Sequence, residues 1–141
     1  ADSTAYGTSD LVANDVDVAD VVPLSWRVPP GGGRITAVNF FTDDETVTNA
    51  AFNLHLYRAA PEPGVGDNGV FAQATVRNLI GTVACDLSSG ATATSTDKVE
   101  RITITVPIHF QCELIYGLGA TTAAYDPDGA ELFEVTLEIE V

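Results

Sequence analysis

Alternation of apolar and polar positions with a period of two dominates this chain. From Ile102 to Phe110, the residues Ile102, Ile104, Val106, Ile108 and Phe110 alternate with Thr103, Thr105, Pro107 and His109. Successive side chains of an extended strand point to opposite faces, so this spacing predicts a long strand, or two strands broken near Pro107. The last stretch repeats the pattern, with Phe133, Val135, Leu137, Ile139 and Val141 on one face and Glu134, Thr136, Glu138 and Glu140 on the other. It reads as a half-buried strand. Phe52, Leu54 and Leu56 alternate with Asn53, His55 and Tyr57 to give a shorter one. Less regular β-type segments run over 18–26, 34–41, 79–87 and 113–118.

Turn-forming residues separate these runs. They are Pro29-Pro30-Gly31-Gly32-Gly33, Thr42-Asp43-Asp44-Glu45, the stretch from Pro61 to Gly69, Ser88-Ser89-Gly90, and Asp126-Pro127-Asp128-Gly129. Strands at this spacing predict an all-β fold, an antiparallel β-sandwich or jelly roll of about seven or eight strands. Only Phe71 to Leu79 carries helical spacing, enough for at most one short helix. The first residues are small, polar and acidic, so residues 1–17 read as an N-terminal arm and residues 18–141 as a single β-sandwich domain.

A chain of 141 residues with 45% hydrophobic positions is long enough for one core and too apolar to remain disordered. Twenty acidic residues against six basic ones give a formal charge of −14. Such a surface repels phosphate backbones and anionic headgroups, so neither nucleic acid nor membrane is an expected partner. The bland consequence of the acidity is solubility. No run of about 18 apolar residues occurs, which predicts no spanning helix. The polar start from Ala1 to Asp10 lacks the basic-then-apolar pattern of a leader. Ala1 reads as a residue left after removal of an initiator or after other processing. Cys85 and Cys112 are too few for a disulfide scaffold, and two buried thiols are favoured over one bridge.

Catalytic constellations are sparse. Nucleophilic catalysis needs a base beside the nucleophile, and only His55 and His109 are available, each on the polar face of its strand. No Gly-x-Ser-x-Gly elbow occurs. In His109-Phe110-Gln111-Cys112-Glu113, His109 and Cys112 point to opposite faces, while His109 and Glu113 lie about 13 Å apart at strand rise, so the segment does not hold an ion alone. Calcium takes oxygen ligands from loops, and Asp43, Asp44, Glu45, Asp126 and Asp128 occupy loop positions, but a plain turn is the preferred reading of Asp126-Pro127-Asp128-Gly129. Gly31-Gly32-Gly33 lacks the lysine and helix of a phosphate loop and reads as a connector. Tyr6, Trp26, Phe40, Phe41, Tyr57, Tyr116 and Tyr125 would be the material of a sugar-stacking platform, although their scatter favours packing. The expectation is therefore a non-enzymatic protein without cofactor, metal or catalytic residues.

The order of local patterns carries a resemblance. Asp20-Val21-Val22 leads to Leu24. Gly31-Gly32-Gly33-Arg34-Ile35-Thr36 opens a strand, and Leu54-His55-Leu56-Tyr57 follows. Asp67-Asn68-Gly69-Val70-Phe71, the short candidate helix and Leu79-Ile80-Gly81-Thr82-Val83 complete the set. This ordered set, over residues 20 to 83, resembles the capsid decoration, or cement, proteins of tailed bacteriophages and related viruses. The resemblance implies a β-sandwich on the outer capsid surface of the virion, bound to the major capsid protein, homo-oligomeric and often trimeric, with no catalytic site. Such a protein binds one lattice many times, so weak contacts add up. Within the arm, Tyr6 and Leu11 are the apolar anchors expected at lattice or subunit contacts. A carbohydrate-binding β-sandwich module on a virion or cell surface is the alternative.

Overall fold

The computed structural model describes residues 5–43, 50–72, 76–87, 92–93, 98–127 and 132–141. The strands run in chain order as β1 (Leu11–Val12), β2 (Leu24–Arg27), β3 (Gly33–Thr42), β4 (Ala51–Tyr57), β5 (Leu79–Asp86), β6 (Thr92–Ala93), β7 (Lys98–Phe110), β8 (Leu114–Thr121) and β9 (Phe133–Glu140). They form two antiparallel sheets. In the first, β1 and β2 pair with different parts of one edge of β8, which is followed by β4 and β5. The second has the order β6-β7-β3-β9. The fold is the all-β sandwich that the alternation predicts.

The inner faces meet in one core. Ile35, Val38 and Phe40 of β3 lie opposite Phe52, Leu54 and Leu56 of β4, with Val135, Leu137 and Ile139 of β9 packed against the same cluster. Each such side chain contributes about 1.5–3 kcal/mol when withdrawn fully from water. The long strand over residues 98–110 is continuous but carries an irregularity. Ile35 pairs with Ile108 and Ala37 with Thr103, so Ile104 to Pro107 lie opposite Thr36 alone. Pro107 has no N–H to give to a ladder, and a bulge is where that costs least. The bulge also breaks the phase: Val106, in step with the inward isoleucines by spacing, is 79% exposed.

One local expectation changes. Residues 18–26 are not extended throughout, because Asp17 caps a single 3-10 turn, Val18–Asp20, by accepting from the Ala19 amide. The strand starts only at Leu24, past Pro23. Between Phe71 and Leu79 the described residues form one 3-10 turn, Val76–Asn78, that leads directly into β5, within the limit of one short helix; residues 73–75 lie outside the described residues.

The largest correction concerns the N-terminal arm. Residues 5–17 belong to the domain, so the expected boundary between residues 17 and 18 is not a domain boundary. Tyr6 is 2% exposed and Leu11 0%, and both are buried in this chain's own interior instead of being presented to a neighbour. Leu11 packs with Tyr57 and Leu118 in a second core, on the face of the first sheet opposite the main core. Its cover is made of the N-terminal segment and the loop after β4, joined by main-chain hydrogen bonds. Leu11 N donates to Gly69 O at 2.9 Å, Asn68 N to Leu11 O at 2.9 Å, and Phe71 N to Ser9 O at 2.8 Å. Gly66 permits this crossing, since a Cβ there would overlap the carbonyl of Val16. The Tyr6 hydroxyl donates to both carboxylate oxygens of the buried Asp67, at 2.9 Å each. Ala13 N donates to the same carboxylate at 2.7 Å. These partners are far apart in sequence, which is why residues 1–17 read locally as a tail.

Candidate functional site

The groups singled out for chemistry are dispersed. His55, on β4 of the first sheet, stacks on Phe71 with ring centroids 5.1 Å apart, and its Nδ1 lies 3.1 Å from Thr82 Oγ1. Burial lowers its pKa, which favours the neutral ring. His109 is on β7 of the other sheet and is exposed. Cys85 and Cys112 are free thiols, Cys85 buried in the core and Cys112 half-buried. Desolvation pushes both thiol pKa values up, away from the thiolate that nucleophilic chemistry uses. Among the described residues no three His, Cys, Asp or Glu side chains are grouped to hold a metal ion. Of the acidic loop residues, Asp43 accepts a hydrogen bond from Leu132 N at 2.8 Å and Asp126 is exposed; Asp44, Glu45 and Asp128 lie outside the described residues.

The aromatic residues are buried or half-buried. Tyr6, Phe40, Tyr57 and Tyr125 are buried, so their rings are not open to a sugar face. Trp26 is half-buried, and its indole N–H donates to the carbonyl of Val135 at 2.9 Å. That bond ties β2 of one sheet to β9 of the other across the side of the sandwich. Gly31 and Gly32 have φ values of +97° and +88°, and a Cβ on Gly32 would lie 2.5 Å from Phe110 O. They turn the chain into β3, the connector role expected of them. Beside them is an open trough flanked by Arg34, Arg58 and His109. Arg34 is already paired with Glu140 at 2.6 Å. A second exposed pair joins Arg101 to Glu138 at 2.6 Å; hydrogen bonds from Arg101 and then Asn39 hold the Glu138 carboxyl at about 2.

A smaller, more apolar site is a cleft of about 210 Å³ on the side where β2 and β9 face each other. It exists because two short strands share one edge of β8. β2 pairs with residues 114–117 and β1 with 119–120, which leaves the position of Leu118 between them without a strand partner on that side among the described residues. Two glycines of β8, Gly117 and Gly119, line the cleft. A Cβ on Gly117 would meet the Trp26 ring at 2.8 Å, whereas one on Gly119 would meet nothing within 4 Å. Phe52 and Leu54 of β4 line it from the same sheet, with Phe133 and Val135 of β9 opposite. Asn14 lies in the lining, yet both ends of its amide are engaged, Nδ2 with Asp20 O at 2.9 Å and Oδ1 with Val22 N at 2.6 Å. At the rim Val22 is 73% exposed, and Leu24 and Leu132 are exposed as well.

Comparison with protein-family models, with curated proteins and with solved structures returned no match. The site is therefore read from its own chemistry. Sequence reasoning did not reach the cleft. The available signal was Gly117-Leu118-Gly119, since glycines two apart in a strand remove two side chains from one face and mark a close approach or a hollow. Tyr6 and Leu11 were singled out for their apolar character, and the structure brings both inside the domain but places them in separate cores.

Proposed function

We propose that this chain is a non-catalytic structural domain that attaches to a repeating protein surface, and that this surface is the outer lattice of a viral capsid. The observation that carries the reading is the contrast between two kinds of site. The reactive side chains that were singled out are dispersed or engaged within the fold, while an apolar cleft stands open at the side of the sandwich with exposed apolar residues on its rim. Exposed apolar ground rimmed by polar residues is characteristic of a protein-docking surface. The ordered likeness of residues 20–83 to capsid decoration proteins supports the lattice as the partner, with the major capsid protein as the contacted chain. On this reading subunits act together as homo-oligomers, trimers by the same likeness, so that modest individual contacts accumulate on the shell. The acidic exterior keeps finished particles apart.

Co-sedimentation tests this directly. Shells assembled from a tailed-phage major capsid protein are mixed with the full chain and pelleted, and the heat resistance of the decorated shells is measured. Binding in a fixed ratio to capsid subunits, together with a higher disruption temperature, is the expected result. A chain that stays in the supernatant and leaves the shells unchanged, at any ratio and at low salt, refutes the lattice reading. Light scattering on the free chain reports the oligomer.

A further inference from the structure

We infer that the cleft between β2 and β9 is a socket for a bulky apolar side chain on a protein segment whose flanking residues are Lys or Arg. This inference rests on the docking reading above and deepens it by naming the chemistry of the contacting segment.

The first part of the argument is shape. Gly117 and Gly119 leave the β8 wall without side chains, and Gly119 opens onto empty space. The volume, about 210 Å³, exceeds the roughly 150 Å³ of an engineered apolar cavity that takes a benzene-sized guest. One large aliphatic or aromatic group fits it. Among the described residues, the one side-chain amide in the lining, on Asn14, is satisfied within the chain, and the other lining side chains are apolar, which suits an apolar guest.

The second part is charge. The segment that joins the lining residues Asn14 and Val21 carries Asp15, Asp17 and Asp20. Asp15 and Asp17 accept main-chain N–H groups of that segment, and the ion pairs of the described residues, Arg34–Glu140 and Arg101–Glu138, involve none of the three. Asp43 lies at the Leu132 side of the rim, accepting from the Leu132 amide. None of the chain's Lys or Arg side chains lines the cleft. An apolar floor with an acidic lip discriminates against acidic segments and favours cationic flanks around an apolar anchor. The exposed Val22, Leu24 and Leu132 extend the contact beyond the hollow, as a protein segment requires and a small free ligand does not.

The test uses the full chain labelled with nitrogen-15 and three synthetic pentapeptides, Lys-Lys-Phe-Lys-Lys, Lys-Lys-Ala-Lys-Lys and Glu-Glu-Phe-Glu-Glu, with NMR signals of Gly117, Gly119 and the Trp26 indole followed during titration. The phenylalanine peptide with lysine flanks is expected to give saturable shifts at those three signals and to weaken as salt is raised. Replacing its Phe by Ala should weaken binding by about tenfold to a hundredfold, the range for burying one such side chain. Gly119→Leu fills the hollow and should abolish the shifts while the remaining spectrum stays folded. Val22→Ser, on the exposed rim, gives an independent reading if Gly119→Leu does not fold, and should weaken binding severalfold. Equal binding of the alanine peptide would reduce the site to charge alone. Equal binding of the glutamate peptide would make it an apolar-ligand pocket without charge selection, and absence of saturable shifts would remove it altogether; each of these outcomes overturns the inference. No shell is needed here, so peptide binding without co-sedimentation removes the lattice and keeps the socket, while co-sedimentation without peptide binding does the reverse.

Discussion

Tyr6 and Tyr125 form a matched pair for testing whether the N-terminal segment is part of the domain. Their rings stack with centroids 6.0 Å apart, and both side chains are fully buried. Their hydroxyls differ. That of Tyr6 donates to Asp67, which is 8% exposed. That of Tyr125 is buried without a hydrogen-bond partner among the described residues. Tyr6→Phe and Tyr125→Phe each remove one oxygen from the same stack, so differences in volume and ring packing nearly cancel. Losing a buried hydrogen bond to a charged group costs about 1.5–3 kcal/mol, whereas removing an unpaired buried hydroxyl is neutral or stabilising by up to roughly 1 kcal/mol. Tyr6→Phe should therefore be less stable than Tyr125→Phe by about 1.5–4 kcal/mol. Urea unfolding followed by Trp26 fluorescence and far-UV circular dichroism measures both, with coincident transitions as the check on two-state behaviour. A thermal midpoint separated by several degrees should accompany the difference. Equal midpoints for the two variants would refute the reasoning, because Tyr6 would then not be held against Asp67 and residues 5–13 would be a free arm after all.

Gly66→Ala places a methyl group against the Val16 carbonyl and should destabilise by about 1–3 kcal/mol, with hydrogen exchange accelerated first at the amides of Leu11, Asn68 and Phe71. Trp26→Phe removes the donor to Val135 O and should cost about 1 kcal/mol, with faster exchange along β9 as the local readout. Glu100 has its pKa raised by burial and then by Asp86, and its Oε2 is buried without a hydrogen-bond partner among the described residues. The fold therefore takes up this proton more readily than the unfolded chain, so stability linked to Glu100 is greatest below the unfolded carboxylate pKa and is lost as pH rises through the folded one. Glu100→Gln should raise the melting temperature at pH 7 and lose most of that advantage at pH 4; an advantage independent of pH would contradict the assignment.

Strands were legible at residues 52–57, 102–110 and 133–141 because alternation survives where one face packs on the core and the other is less covered, although at Val106 the bulge leaves an apolar residue outside. β8 reads poorly for the opposite reason. Ile115 and Leu118 are both buried, one in each core, so a strand covered on both sides keeps no alternation. Turn residues likewise announced the connector at Gly31–Gly33, since positive φ is a local demand.

Tertiary structure alone decided the fate of Tyr6 and Leu11. Their partners Asp67, Tyr57 and Leu118 lie dozens of residues away, and no local pattern reveals whether an apolar side chain in a polar segment is buried at home or offered outward. The cleft is equally non-local, because it is the space left when two short strands share one edge of β8 and β9 closes the other side. Local sequence determines which faces are apolar; pairing between distant segments determines which of those faces remain uncovered.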